Sequence, residues 1–222
     1  MKKSEVLLKT TSLYLVYFLY TYFGSYIANM FPILDSQLVM LILDILFLLI
    51  IVLTYKKVLK KDFQILKKEY SLKKVLKVMV IGFFSIVLLN VVIAALGTLL
   101  FENASMDQNT QSIQNLASLS MLYTVFKTMF FGVVAEELLF RESLSDLLDN
   151  NVLFVLVSAV IYTIMNFIFT SEAFSMSQVL AYFLPALLFG IIYVKNKRNI
   201  LLVMFTKFAY NLIPLVILIS GV

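Results

Sequence analysis

Histidine is absent from the 222 residues, and so is cysteine. Without cysteine the chain has no disulfide, no thiolate nucleophile and no sulfur ligand for a metal. Without histidine it lacks the side chain most used as a base near neutral pH and as a zinc ligand. Charge is scarce as well. Asp, Glu, Lys and Arg make up 14% of the residues, against about 25% in soluble domains. Hydrophobic residues fill 62% of the chain instead. No short apolar stretch ending in a small-residue cleavage site follows Met1-Lys2-Lys3, so the first apolar run reads as a retained span. These deficits point to a polytopic membrane protein.

A helical span takes about 20 apolar residues. Stretches near 11–34, 36–55, 75–101, 121–141, 152–170, 178–194 and 200–219 qualify. They predict an all-α membrane helical bundle of about seven transmembrane helices in a single membrane domain. No internal repeat and no soluble domain is visible. Residues 1–119 would carry the N-terminal helices and a basic cytoplasmic loop at 56–77, and residues 120–222 the core helices.

The net charge of +5 is gathered in a few connections. Nine lysines lie between Lys56 and Lys77, and Lys195, Lys197 and Arg198 follow the sixth stretch, while 102–120 holds no Lys or Arg. The positive-inside rule then predicts a multi-pass cell-membrane protein with its N-terminus cytoplasmic and its C-terminus external. Lysine alternates with apolar residues at near-helical spacing in 56–77, which suits a helix on the inner leaflet against anionic lipids. The other reading is a helix that docks a partner. Charge so placed points to headgroups and away from nucleic acid.

Ionisable residues inside a membrane are costly and demand a reason. Asp44 and Lys127 lie at similar depths in the second and fourth stretches, which predicts a structural pair ahead of a proton relay. The run Glu136-Glu137-Leu138-Leu139-Phe140-Arg141 is the denser signal. On a helix Glu137 and Arg141 share a face and can pair, while Glu136 points about 100° away. One carboxylate could be held by Arg141 while the other faces a cavity, as acid–base chemistry requires. A buried ion pair that locks helix packing is the competing reading, and spacing alone does not choose. Asn166, Lys207 and Asn211 fall about 12–23 Å above the same turns as Glu137. Lys207 and Asn211 share a helical face. The expectation is one shared polar site.

These residues carry a resemblance to the CPBP family of intramembrane proteases, also called the CAAX-protease and bacteriocin-processing or Abi family. Its Glu-Glu-x-x-x-Arg motif matches Glu136, Glu137 and Arg141. Its Phe-x-x-x-His motif falls on Tyr162 through Asn166, with Tyr for Phe and Asn for His. Its His-x-x-x-Asn motif falls on Lys207 through Asn211, with Lys for His. The resemblance covers roughly residues 120–215. It implies that Glu136, Glu137, Arg141, Asn166, Lys207 and Asn211 stand at the family's catalytic positions, and that relatives use a divalent metal such as zinc for peptide hydrolysis.

Here both motif histidines are replaced. Asn166 cannot act as a base, and a protonated Lys207 has no acceptor and repels a metal. No cofactor is therefore expected. Lys207 is expected to pair with Glu136 while Arg141 holds Glu137, which makes the set neutral. The function expected is a catalytically inactive, CPBP-like membrane scaffold or regulator whose partner is another integral membrane or cell-envelope protein. That partner would be held by the helices or the 102–120 loop. The alternatives are an active intramembrane endopeptidase that processes a peptide or lipidated substrate, and a bacteriocin self-immunity protein. A transporter is disfavoured because repeated halves are not seen. The lysine-rich connections have a bacterial look.

Overall fold

The computed structural model describes residues 3–30, 36–101, 120–168 and 176–220. Most of the 102–120 loop, the Ser171-Glu172 connection and Asp35 lie outside the described residues. Within them the chain is helical, with no strand. The helices are α1 (Lys3–Asn29), α2 (Ser36–Glu69), α3 (Leu72–Phe101), α4 (121–145), α5 (Asn151–Ile168), α6 (Met176–Lys195) and α7 (Ile200–Ser220).

The all-α membrane bundle is met. α2, α3, α5 and α6 are long and apolar enough to cross a membrane, and α7 carries a shorter apolar stretch, Ile200–Val216. α1 is richer in Thr, Ser and Tyr. The exterior is apolar, as lipid requires. Val80, Ile81, Phe84, Leu88 and Val91 of α3 all face outward.

The basic stretch labelled a loop at 56–77 is helical, as its spacing predicts, and is continuous with the spans on either side apart from a short turn. α2 runs unbroken through Lys56–Lys68 to Glu69, and α3 begins at Leu72. Lysine is a good helix former, so no residue interrupts the helix where the apolar run ends. Asp62 fixes this segment against α7. Its Oδ2 accepts from the Ile200 N–H at 2.8 Å, and its carbonyl accepts from Asn199 Nδ2 at 2.9 Å. A carboxylate at a helix N-terminus meets both an orphan donor and the positive end of the dipole.

The α6–α7 turn needs two left-handed residues, Lys197 (φ 57°) and Arg198 (φ 56°). Arg198 offsets this strain by donating to the carbonyls of Ser145, at the end of α4, and of Leu148 and Asp149 just beyond it.

α4 is the central element. Ala135, Leu138, Leu139, Phe140 and Arg141 are fully buried. The four apolar ones pack with Phe47 and Ile51 of α2, Phe154 of α5, Phe189 and Tyr193 of α6, and Val203 of α7. α4 starts as an α-helix at Met121–Val125, where the Ser120 side chain caps the Tyr123 N–H. It then widens to i→i+5 winding over Phe126–Ala135 and again over Leu138–Glu142. Wide turns are rare and need support from neighbours. That support comes from outside α4. Tyr14 Oη of α1 donates to the Leu139 carbonyl at 3.0 Å, and Thr10 Oγ1 to that of Ser143 at 2.9 Å. Ser158 Oγ of α5 donates to the Phe140 carbonyl at 2.8 Å, and Asn211 Nδ2 of α7 to that of Thr128 at 2.8 Å.

Gly82 lets α3 close on α7. A Cβ there would lie 2.5 Å from Thr206 Cγ2, one residue before Lys207.

Candidate functional site

Glu136 and Glu137 stand at the junction of the two wide segments of α4. Lys207 approaches them from α7. Its Nζ lies 3.0 Å from Glu136 Oε2 and 2.8 Å from Glu137 Oε1. Arg141 Nη1 lies 3.3 Å from the same Glu137 oxygen. Glu137 and Arg141 are fully buried, Lys207 is 6% exposed, and the Glu136 side chain retains 19% exposure. The four formal charges cancel.

This differs in one respect from the pairing expected from sequence. Arg141 does hold Glu137, and Lys207 does hold Glu136. Lys207 also takes Glu137, so a single ammonium bridges both carboxylates. The 100° separation assumed for regular α-winding does not apply at a junction between wide turns.

Two rings complete the enclosure. Tyr162 lies 5.5 Å from Lys207 Nζ and 5.1 Å from the Arg141 guanidinium carbon. Phe189 lies 5.7 and 5.9 Å from the same two groups. Their π-faces favour cations in a site with little water. Tyr162 Oη also makes a long hydrogen bond of 3.4 Å to Glu136 Oε2. Arg141 Nη2 reaches the Ala186 carbonyl at 3.4 Å. Among the described residues, Glu137 Oε2 and Arg141 Nε have no protein hydrogen-bond partner. Tyr162 and Phe189 escaped the sequence reading as site residues. Tyr162 occupies the motif's Phe position and could have been found there. Phe189 has no signal beyond being aromatic.

The six sequence-predicted residues do not all converge. Glu136, Glu137, Arg141 and Lys207 do. Asn211 lies one turn along α7 from Lys207 and serves the Thr128 carbonyl of α4. Asn166 donates to the Tyr162 carbonyl of its own helix at 2.8 Å, and among the described residues it makes no bond to either glutamate. The extra acid next in sequence, Glu142, is separate. It accepts from Tyr193 Oη at 2.7 Å.

A second intramembrane pair lies higher on α4. Lys127 Nζ is 2.9 Å from Asp44 Oδ1 and 3.0 Å from Tyr20 Oη, and sits 3.8 Å over the Phe131 ring.

The donor set does not fit a divalent metal. Only two carboxylates converge, and both already face an ammonium at hydrogen-bond distance. No group of three His, Cys, Asp or Glu that could hold an ion exists among the described residues. Zinc sites draw on three or four such ligands. A dication here would add to the charge of Lys207 and Arg141. No hydrolytic step through a metal follows from these residues.

The family model for type II CAAX prenyl endopeptidase, Rce1-like, matches residues 118–213. That stretch contains the motif residues from Glu136 to Asn211, α4 to most of α7. No curated protein and no solved structure matches the chain.

Proposed function

We propose that this membrane protein, CAAX-protease-like over residues 118–213, is a non-hydrolytic member of that group that acts as a scaffold or regulator of another integral membrane or cell-envelope protein. The observation that supports the reading is the position of Lys207. Its ammonium bridges Glu136 and Glu137 at 3.0 and 2.8 Å. A carboxylate that activates water must accept the proton of that water. Both carboxylates here already accept from the Lys207 ammonium. The motif keeps its architecture and serves as an electrostatic clamp between α4 and α7.

The same reading places α1's N-terminus and the lysines of the α2–α3 connection on the cytoplasmic side of the cell membrane, by the positive-inside rule.

The test is a cleavage assay on the purified chain with membrane-spanning and lipidated peptides, alongside Glu136→Ala and the double variant Asn166→His/Lys207→His. The expected result is no turnover by the natural chain and co-purification of a membrane partner in stoichiometric amount. Turnover by the natural chain that disappears in Glu136→Ala would establish an endopeptidase and overturn the proposal.

A further inference from the structure

The last turns of α2, the α2–α3 turn and the first turns of α3 (Lys56–Lys77, here the α2–α3 connection) gather exposed lysines, while exposed acids at this end of the bundle include Asp146 and Asp149, which follow α4. Lys56, Lys57, Lys60, Lys61, Lys67, Lys68, Lys73, Lys74 and Lys77 are all exposed. The two acids of the stretch do not offset them. Asp62 is 4% exposed and turned inward onto the Ile200 N–H. Glu69 is taken by a further lysine, Lys197, at 2.6 Å. Hydrogen bonding to Glu69, and its charge, hold the Lys197 ammonium pKa above its ordinary value.

Large apolar side chains are interleaved with these lysines. Phe63 is 59% exposed and Leu72 74%. Water would disfavour them, while the boundary between headgroups and acyl chains suits them.

The connection is also held rigidly. Asp62 with Asn199 and Ile200, Glu69 with Lys197, and Tyr70 Oη with the Asn196 carbonyl at 3.4 Å fasten it to the α6–α7 turn. Tyr70 and Val75 pack on buried Leu202. Its ordering is thus achieved in the fold, so binding does not have to supply it.

We infer that the α2–α3 connection is a preformed platform that gathers anionic phospholipid headgroups from the surrounding leaflet, through its exposed lysines and with Phe63 and Leu72 set into the interface. Charge complementarity selects the occupant. Each lysine near an anionic bilayer surface contributes attraction equivalent to about a fivefold gain in binding. The pairing is electrostatic, so salt weakens it. The inference is independent of whether the Glu136–Lys207 site hydrolyses anything.

The chain's lack of cysteine makes the test clean. Gln64, exposed beside Phe63, is changed to Cys and carries the only thiol-linked donor fluorophore. The full chain is reconstituted in phosphatidylcholine vesicles containing a minority of phosphatidylglycerol, with trace acceptor-labelled phosphatidylglycerol or phosphatidylcholine. Energy transfer is expected to be several-fold greater to the anionic acceptor. High salt should abolish the difference, and so should replacing Lys60, Lys61, Lys67, Lys68, Lys73 and Lys77 by Gln. The salt arm uses the unaltered lysines and stands even if the sixfold variant does not fold. Equal transfer to both acceptors would overturn the inference, as would a preference that survives high salt. Loss of the preference on adding inorganic phosphate at matched ionic strength would reassign the platform to free phosphate. Loss on adding an acidic peptide at trace concentration would reassign it to a protein partner.

Discussion

Replacing Lys207 by Met keeps the length of the side chain and removes its charge. Glu136, Glu137 and Arg141 would remain, with a net charge of −1 in a site where Glu137 and Arg141 are fully buried. Breaking a buried ion pair by removing one partner costs about 3–5 kcal/mol, because the other charge is left uncompensated. Lys207 bridges two carboxylates, so the upper part of that range applies, less what the 19% exposed Glu136 recovers from water. At about 2–4 °C per kcal/mol for a chain of this size, the midpoint of thermal unfolding in detergent should fall by roughly 6–20 °C. The second variant gives the argument its edge. Lys207→Met with Glu136→Gln restores neutrality, since Arg141 still holds Glu137 at 3.3 Å. It should recover a coupling energy of about 1–3 kcal/mol in a double-mutant cycle. The assay is thermal unfolding of four proteins: natural chain, both single variants and the double. Two results would refute the reasoning. One is a Lys207→Met midpoint within a degree or two of the natural one. The other is strict additivity of the two changes, since a clamp requires coupling.

The winding of α4 and the upper ion pair give two further expectations. Tyr14→Phe removes one donor from the Leu139 carbonyl, bonded at 3.0 Å, and should destabilise the chain by about 1 kcal/mol. Faster amide exchange along 138–142, with no change in α6, would show that the loss is local to the wide turns. Asp44→Asn should destabilise by about 1–3 kcal/mol, because it leaves Lys127 with Tyr20 and the Phe131 ring alone. Adding Lys127→Met should regain part of that, and a neutral Asp44→Asn in the same unfolding assay would remove any structural role for the pair.

The parts of this molecule that could be read from sequence are those where a residue type is expensive in its setting. Charge in an apolar helix is the clearest instance. It singled out Glu136, Glu137, Arg141, Asp44 and Lys127 with no reference to any relative, and the depth of Lys207 brought a cation to the same level. The winding of α4 was not readable. Hydrophobic periodicity separates helix types only where polar residues mark a face, and Phe126–Ala135 is apolar all round apart from Lys127 and Thr128. The donors that sustain the wide turns come from Thr10 and Tyr14, more than a hundred residues away in the chain. That is why Asn166 was expected in the site and Tyr162 was not. Extrapolating depth by a uniform rise gives a level and no azimuth, and Asn166 at the right level turns back onto its own helix. In Lys56–Lys68 the helix is legible from the near-helical spacing of lysine and apolar residues, while its continuity with the span before it is not, because the change of composition at Lys56 gives no structural break where lysine continues a helix as readily as leucine does.

Charge accounting shows why two glutamates and an arginine cannot by themselves identify a hydrolase. Glu136, Glu137 and Arg141 sum to −1 and require a cation in either kind of protein. A dication beside them gives +1 in a chain without Lys207. With Lys207 present the same ion gives +2, in a low-dielectric site where each uncompensated charge costs several kcal/mol. The carboxylate pair is therefore common to both kinds of site, and the position four residues before Asn211 distinguishes them. A neutral side chain there leaves room for an ion that must be supplied. A lysine there makes the neutral state intrinsic to the fold, and the approach of Nζ to both carboxylates within 3.0 Å shows that α4 and α7 are packed around that lysine. Thr206, next to that lysine on α7, closes on Gly82 of α3, where a Cβ would lie 2.5 Å from its Cγ2, so the lysine-bearing face of α7 is set by packing on both sides.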